Sequence, residues 1–259
     1  MKDRLTIIKV GGNVVEEEES LKSLLKDFSR IAGNKILVHG GGKSANLLSE
    51  KLGIESKKVD GRRITDAETL KVVTMVYAGL VNKNIVAGLQ AYGTNAIGLT
   101  GADLDLIRAA KRPVGEVDYG FVGDIKSVNY QALNELLTSG AIPVVAPITH
   151  DGHGQLLNTN ADTIASELAV AMSYDFEVQL IFCFEKSGVL MNESDDNSKI
   201  NEITPELFAQ LKADGIVTGG MIPKLSDGFA ALHKGVGVVV ITNPAGIKEG
   251  LRGTRLVLE

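Results

Sequence analysis

Two lysines of this 259-residue chain stand beside glycine turns, Lys9 ahead of Gly11-Gly12 and Lys224 behind Gly219-Gly220. A third glycine run, His39-Gly40-Gly41-Gly42-Lys43-Ser44, follows the apolar stretch Lys35 to Val38 and precedes Ala45, Leu47, Leu48 and Leu52 at helical spacing. Glycines between a strand and a helix let backbone amides approach an oxyanion closely, and the helix start adds free N–H groups and a favourable dipole. A plain tight turn would have the same spelling, so the spacing alone leaves both open. Neither familiar nucleotide loop fits: Leu37 stands where a P-loop ending in Gly42-Lys43-Ser44 needs its first glycine, and Ala45 where a dinucleotide fingerprint begun at Gly40 needs its last. Lys224 falls in the first turn of a helix, where the macrodipole disfavours a cation, so an anion is expected beside it. Arg62 and Arg63 stand at another helix entrance, as a solvated pair or as a planar fork for a carboxylate. Asn158-Thr159-Asn160-Ala161-Asp162 opens a further helix with more capping residues than one cap needs, and the surplus points to a ligand. His150 and His153 have metal-like spacing but no further ligand near them, so they are expected to be loop histidines and no metal site is expected. The inventory lacks a nucleophile with a positioned base. It suits phosphoryl transfer, where positioning and charge neutralisation supply nearly all of the catalysis.

The elements that must position these groups read as strand, glycines, helix, repeated. Leu5 to Val10 is a strand, Leu21 to Ile31 a helix closed by Gly33, Lys35 to Val38 a strand and Ala45 to Leu52 a helix. Thr65-Asp66-Ala67-Glu68 spells a capping box before Leu70, Val73, Val76 and Tyr77, and a second helix runs through Ile85, Val86 and Leu89. This alternation predicts an α/β fold, a mainly parallel central sheet between helical layers, with ligands outside the carboxyl ends of its strands. Asp103 to Val128, broken by Pro113, Gly115, Gly120 and Gly123, is expected to be an inserted β-hairpin flap. Val178 to Phe184, Thr204-Pro205-Glu206 and Gly237 to Ile241 continue the grammar as strand, helix start and strand. A balance of 27 basic and 32 acidic residues argues against a general nucleic-acid surface. The single cysteine, Cys183, excludes a disulfide framework and suits a reducing cytoplasm, with core packing as its expected role. No apolar stretch reads as long enough to span a bilayer.

Lys9-Val10-Gly11-Gly12, His39-Gly40-Gly41-Gly42, Gly61-Arg62-Arg63, Asn158 to Asp162 and Gly219 to Lys224 together resemble the motif series of the N-acetylglutamate kinases, within the amino acid kinase family. The likeness runs in order from residue 9 to Gly253-Thr254-Arg255 and takes in Gly98 to Arg108 and Gly120 to Ile125. It implies a three-layer αβα sandwich and transfer of the γ-phosphoryl group of ATP to the side-chain carboxylate of an N-acylated glutamate. By resemblance, Lys9 and Lys224 stabilise charge on the transferring group and Asp162 holds both. Gly12, Gly41 and Gly42 offer amides to the phosphoryl group and the acceptor, while Arg63 and Asn158 hold the α-carboxylate and its neighbourhood. Glu185, Lys186, Ser187, Gly188, Val189 and Leu190, with Ile216, Val217 and Thr218, line the nucleotide. Glu185-Lys186 departs from the aspartate-valine frequent in that family. Mg2+ enters with ATP, held by phosphates and water. The implied division is 1–150 for acylglutamate binding and dimerisation and 151–259 for ATP.

A homodimer is expected, joined through the N-terminal lobe. The first strand begins too early for the extra helix of arginine-inhibited members, so insensitivity to arginine is expected. Lys43 stands where that family often has proline and reads as a solvated lysine; the alternative is that, together with Arg62, it faces the extra carboxylate of a second acceptor, N-succinyl-L-glutamate. A non-catalytic nucleotide-sensing domain is the alternative from another class, and it would be expected to lose a residue of the charged clamp.

Overall fold

Alternate residues of Asp3–Val10 (β1) enter opposite faces of one sheet: Leu5 and Ile7 join one core, Ile8 and Val10 another. That parity sends Lys9 to the same face as Ile7. The computed structural model describes residues 2–59, 62–249 and 252–259; Asp60 and Gly61 of the expected arginine motif lie outside them. The further strands are β2 (Asn34–His39), β3 (Lys58–Val59), β4 (Arg62–Arg63), β5 (Ala96–Leu99), β6 (Ile107–Lys111), β7 (Gly123–Val128), β8 (Ile142–Val145), β9 (Ile148–His150), β10 (Leu156–Asn158), β11 (Phe176–Cys183), β12 (Glu202–Ile203), β13 (Val238–Thr242) and β14 (Thr254–Leu256). The helices are α1 (Gly12–Glu16), α2 (Glu18–Ser29), α3 (Gly42–Lys51), α4 (Ala67–Val73), α5 (Asn82–Ala91), α6 (Tyr130–Thr138), α7 (Ala161–Met172), α8 (Pro205–Ala213), α9 (Met221–His233) and α10 (Pro244–Lys248).

Eight strands form the central sheet in the order β12-β14-β13-β11-β1-β2-β8-β5, parallel except where β13 meets β14. Helices α6 to α9 supply Leu133, Leu168, Leu211 and Phe229 to the core on the Ile7 face; α2, α4, α5 and α10 supply Phe28, Leu70, Ile85 and Ile247 to the core on the other. The expected three-layer α/β architecture is therefore found. From β1 the chain winds outward through β2, and from its other neighbour β11 it winds the opposite way through β13. The crevice between the ends of β1 and β11 is thus a topological switch point, the usual seat of ligands in such sheets. Cys183 is buried at the end of β11, as expected.

Three local expectations change. The flap is more than a hairpin: β6 and β7 pair antiparallel, and with β9 and β10 they make a separate four-stranded sheet. The helix after Arg63 is capped by Asp66, which accepts from the Thr69 amide, and not by Thr65. Thr65 is fully buried and its hydroxyl is engaged by Asn158, so it is not available for the cap. Residues expected as two helices form one run from Ala67 to Ala91, with a π-helical segment at Thr74–Val81 between α4 and α5. By length and composition alone this run could cross a bilayer, which corrects the reading that no stretch could. Its inward face, including Val73, Tyr77, Val81 and Ile85, is buried, while Met75 and Leu80 are exposed.

One buried cation serves the fold alone. Lys35 Nζ donates to the carbonyls of Phe28, Ser29 and Ile31 at 3.0, 2.8 and 2.8 Å, closing the carboxyl end of α2. Burial lowers its pKa, and the last carbonyls of a helix are its natural partners. Lys35→Met keeps the stem and removes the donors; we expect it to lower the unfolding free energy by about 2 kcal/mol, read by urea denaturation, with Lys35→Arg losing less.

Candidate active site

Strand parity brings Lys9 to the first turn of α7. Its Nζ lies 2.8 Å from Asp162 Oδ1, and Lys224 Nζ, from the first turns of α9, lies 3.0 Å from Asp162 Oδ2. The anion expected beside Lys224 is therefore Asp162. Asn160 caps α7, accepting from the amides of Asp162 and Thr163, and so fixes the turn from which the carboxylate projects. Burial lowers the pKa of Lys9 and Asp162 opposes it. Burial alone would raise the Asp162 carboxyl, but Lys9 and Lys224 outweigh it and hold the group below its usual range. Two cations and one anion leave a net charge of about +1 where water is scarce.

The two N-terminal glycine turns meet beside this triplet. A Cβ on Gly12 would lie 3.7 Å from the Gly42 amide nitrogen and 3.9 Å from that of Gly41. Among the described residues no protein acceptor takes the N–H of Gly12, Gly41 or Gly42. The start of α3 is not wholly open, however, because the Ser44 amide donates to Glu16 Oε1 at 2.6 Å, so a carboxylate of the chain already occupies part of it. Gly41 adopts a φ of +151°, and a Cβ there would meet Tyr77 at 3.0 Å.

A cavity of about 370 Å³ opens on these turns, lined among others by Gly41, Gly42, Lys58, Arg62, Arg63, Tyr77, Arg112, Asp124, Asn158 and Glu167. Arg63 is 7% exposed and engaged with the chain: it donates to Gly42 O at 2.9 Å, to Asn46 Oδ1 at 2.6 Å and to Ser56 Oγ. Its guanidinium thus pins the carbonyl at the first residue of α3 while facing the cavity. Asn158 donates to Thr65 Oγ1 at 3.0 Å, and Thr159 bonds Thr149 and Gly123 O. Much of the apparent surplus of capping residues is therefore used within the protein. Arg112 is ion-paired with Asp124. Lys43 is exposed and does not line the cavity, which agrees with its reading as a solvated lysine and not with the alternative that it faces an extra carboxylate of the substrate.

Another cavity, of about 120 Å³, is lined by Phe184, Lys186, Gly188, Val189, Leu190, Glu193, Ile216, Val217, Thr218 and Met221. Of the residues expected here, Glu185 and Ser187 do not line it; Phe184, Glu193 and Met221 were not foreseen. Thr254 on β14 fixes the loop, its Oγ1 accepting from the Val189 amide at 2.8 Å and donating to Ile200 O at 2.6 Å. Of the histidine pair, His150 is 2.9 Å from Asp105 Oδ1, and no group of three or more potential metal ligands occurs among the described residues. Tyr77, Lys58, Arg112 and Glu167 escaped the sequence because each is a single residue on a separate element, without a glycine or a cap to mark it.

Residues 4–243 match the profile of the amino acid kinase family. The chain is 64% identical over 250 residues to the acetylglutamate kinase of Phocaeicola vulgatus, covering 96% of this chain and 97% of that one. It is 62% identical over 256 residues to the acetylglutamate kinase of Bacteroides thetaiotaomicron, covering 99% of each. Its fold is similar to that of a carbamate kinase from Giardia lamblia bound to AMP-PNP, with a TM-score of 0.74, 13% identity and 99% of each chain covered.

Proposed function

The chain belongs to the amino acid kinase family, and from that premise we propose that it transfers the γ-phosphoryl group of ATP to the side-chain carboxylate of N-acetyl-L-glutamate, the second step of arginine biosynthesis. The observation that carries this reading is the Lys9-Asp162-Lys224 triplet, together with the cavity that opens on Gly40, Gly41 and Gly42. A carboxylate oxygen of the substrate attacks the γ-phosphorus and the bond to the β-phosphate oxygen breaks, giving an acyl phosphate and ADP. Charge spreads over the transferring oxygens as this happens, and fixed donors aimed there lower the barrier. Lys9 and Lys224 supply two such cations, and the Gly12, Gly41 and Gly42 amides supply neutral donors.

Residues 1–150 would bind the acylglutamate through Gly41, Gly42 and Arg63, with Asn158 reaching across from 151–259, the half that takes ATP. Lys186, Gly188, Val189, Leu190, Ile216, Val217 and Thr218 would line the nucleotide. Mg2+ suits this arrangement as a partner of the phosphates, because both Asp162 oxygens are engaged by lysines. A net charge of −5 and one buried free cysteine support a cytoplasmic enzyme without a nucleic-acid partner. The exposed apolar residues Met75 and Leu80 of the Ala67–Ala91 helix, and Ile97 on edge strand β5, support a homodimer rather than a membrane contact. Light scattering should give twice the chain mass; a monomer at micromolar concentration would count against the interface.

N-succinyl-L-glutamate remains a second acceptor on one observation. Lys58 and Arg62 line the first cavity, and neither forms an ion pair among the described residues. A substrate with an extra carboxylate would use such cations. We expect kcat/KM to favour the acetyl compound; preference for the succinyl compound, lost in Arg62→Ala, would reverse the assignment.

The central test is ADP release with and without N-acetyl-L-glutamate. We expect acceptor-dependent turnover that falls about 100-fold or more in Lys9→Ala and in Lys224→Ala, a loss of about 3 kcal/mol of transition-state stabilisation. Arg63→Ala should instead raise KM for the acceptor. Nucleotide binding with no acceptor-dependent turnover would leave the sensing alternative standing.

A further inference from the structure

We propose that His39 is a positioning residue that aims the Gly41 amide at the transferring group, and that Asn82 holds the imidazole in the one tautomer able to do so. The inference deepens the phosphoryl-transfer reading and rests on it.

His39 ends β2 and is fully buried. Its Nδ1 lies 2.7 Å from Gly40 O, and its Nε2 lies 3.1 Å from Asn82 Nδ2. Asn82 Nδ2 also donates to Val144 O at 2.9 Å, and Asn82 Oδ1 accepts from Lys83 Nζ at 3.0 Å. These contacts assign the protons. An amide nitrogen held by a carbonyl and an ammonium on its own oxygen can only donate, so Nε2 is the acceptor and Nδ1 carries the hydrogen. Burial pushes the imidazole down to about 4, against the Gly40 carbonyl and with the help of Lys83, so the ring is neutral in the working range. Its one N–H is therefore spent on Gly40 O.

That bond sets the direction of a neighbouring donor. The described chain has no cis peptide, so the Gly40 carbonyl and the Gly41 N–H share a plane and point in opposite directions. Holding the carbonyl toward buried His39 turns the Gly41 N–H away from it, toward the cavity that Gly40, Gly41 and Gly42 line. Gly41 needs this restraint because glycine has little intrinsic preference for one conformation. The π-helical segment supplies the second brace: Tyr77 and Val81 pack on Gly41, and Asn82 follows immediately after. Tyr77 and Val81 lie in the π-helical segment and Asn82 is the first residue after it, so one stretch of helix carries both the side chains against Gly41 and the amide that holds His39. The brace depends in turn on Gly98 in edge strand β5, where a Cβ would fall 1.9 Å from Asn82 Oδ1.

The test combines kinetics with an independent spectroscopic reading. His39→Leu is expected to lower kcat at least tenfold with KM for N-acetyl-L-glutamate and for ATP within about twofold. His39→Asn places an amide N–H where Nδ1–H stood and should recover most of that loss. Gly98→Ala, remote from both cavities, should reproduce the kcat loss by displacing Asn82. Nitrogen-15 NMR of histidine-labelled wild type should show His39 as the Nδ1–H tautomer, and Asn82→Leu should abolish that assignment. Normal kcat in His39→Leu, no recovery in His39→Asn, or an Nε2–H tautomer in wild type overturns the proposal. If His39→Leu does not fold, the wild-type tautomer and Gly98→Ala decide. If no acylglutamate is phosphorylated at all, the proposed reaction fails, and the tautomer still reports on the His39-Asn82 contact by itself.

Discussion

One carboxylate decides where two cations can stand. Lys9 and Lys224 are nearly buried, with side chains 8% and 15% exposed, and two ammonium groups that close in so dry a place would repel and shed a proton. Asp162 makes the arrangement sustainable, and the cap at Asn160 together with the dipole of α7 makes Asp162 sustainable. The triplet keeps an unbalanced positive charge, so an incoming phosphoryl group completes a charge balance that the folded chain leaves open. An uncharged ligand would leave it open still.

The neutral donors follow from the same strand. β1 carries Lys9 on one face and runs directly into Gly11-Gly12; its neighbour β2 runs into Gly40 to Gly42, in register with it from Leu5↔Asn34 to Val10↔His39. Parallel pairing forces the two turns to the same rim, where Gly41, at a φ of +151° and with Tyr77 and Val81 against it, has no room for a side chain. Charge, turn and register are thus one constraint expressed three times.

The sequence disclosed what is local. Glycine turns after apolar strands, a lysine in an unfavourable helix position and an aspartate at a helix start are short-range signals, and each marked a residue that the fold brings to the clamp. Long-range pairing was less legible. The capping-box spelling pointed to Thr65 as the cap, whereas its hydroxyl is taken by Asn158, a residue 93 positions away. The same blindness hid the joining of β9 and β10 to the flap and the reach of Arg112 and Lys58 into the cavity, since no periodicity encodes a contact between separate elements. At Lys43 the reading as a solvated cation agrees with the structure, where the residue is exposed and off the cavity.

The triplet joins residues 9, 162 and 224, and β1 pairs along its length with β11, as in Asp3↔Phe176. Contacts this distant in sequence form late, because the chain must close long loops before they return any stabilisation. No partly folded state that lacks the β1/β11 pairing can present two lysines on one aspartate. Phosphoryl-transfer competence in this chain is therefore a report on completed topology, and a collapsed intermediate, however rich in helix and strand, should be silent toward the nucleotide's γ-phosphate.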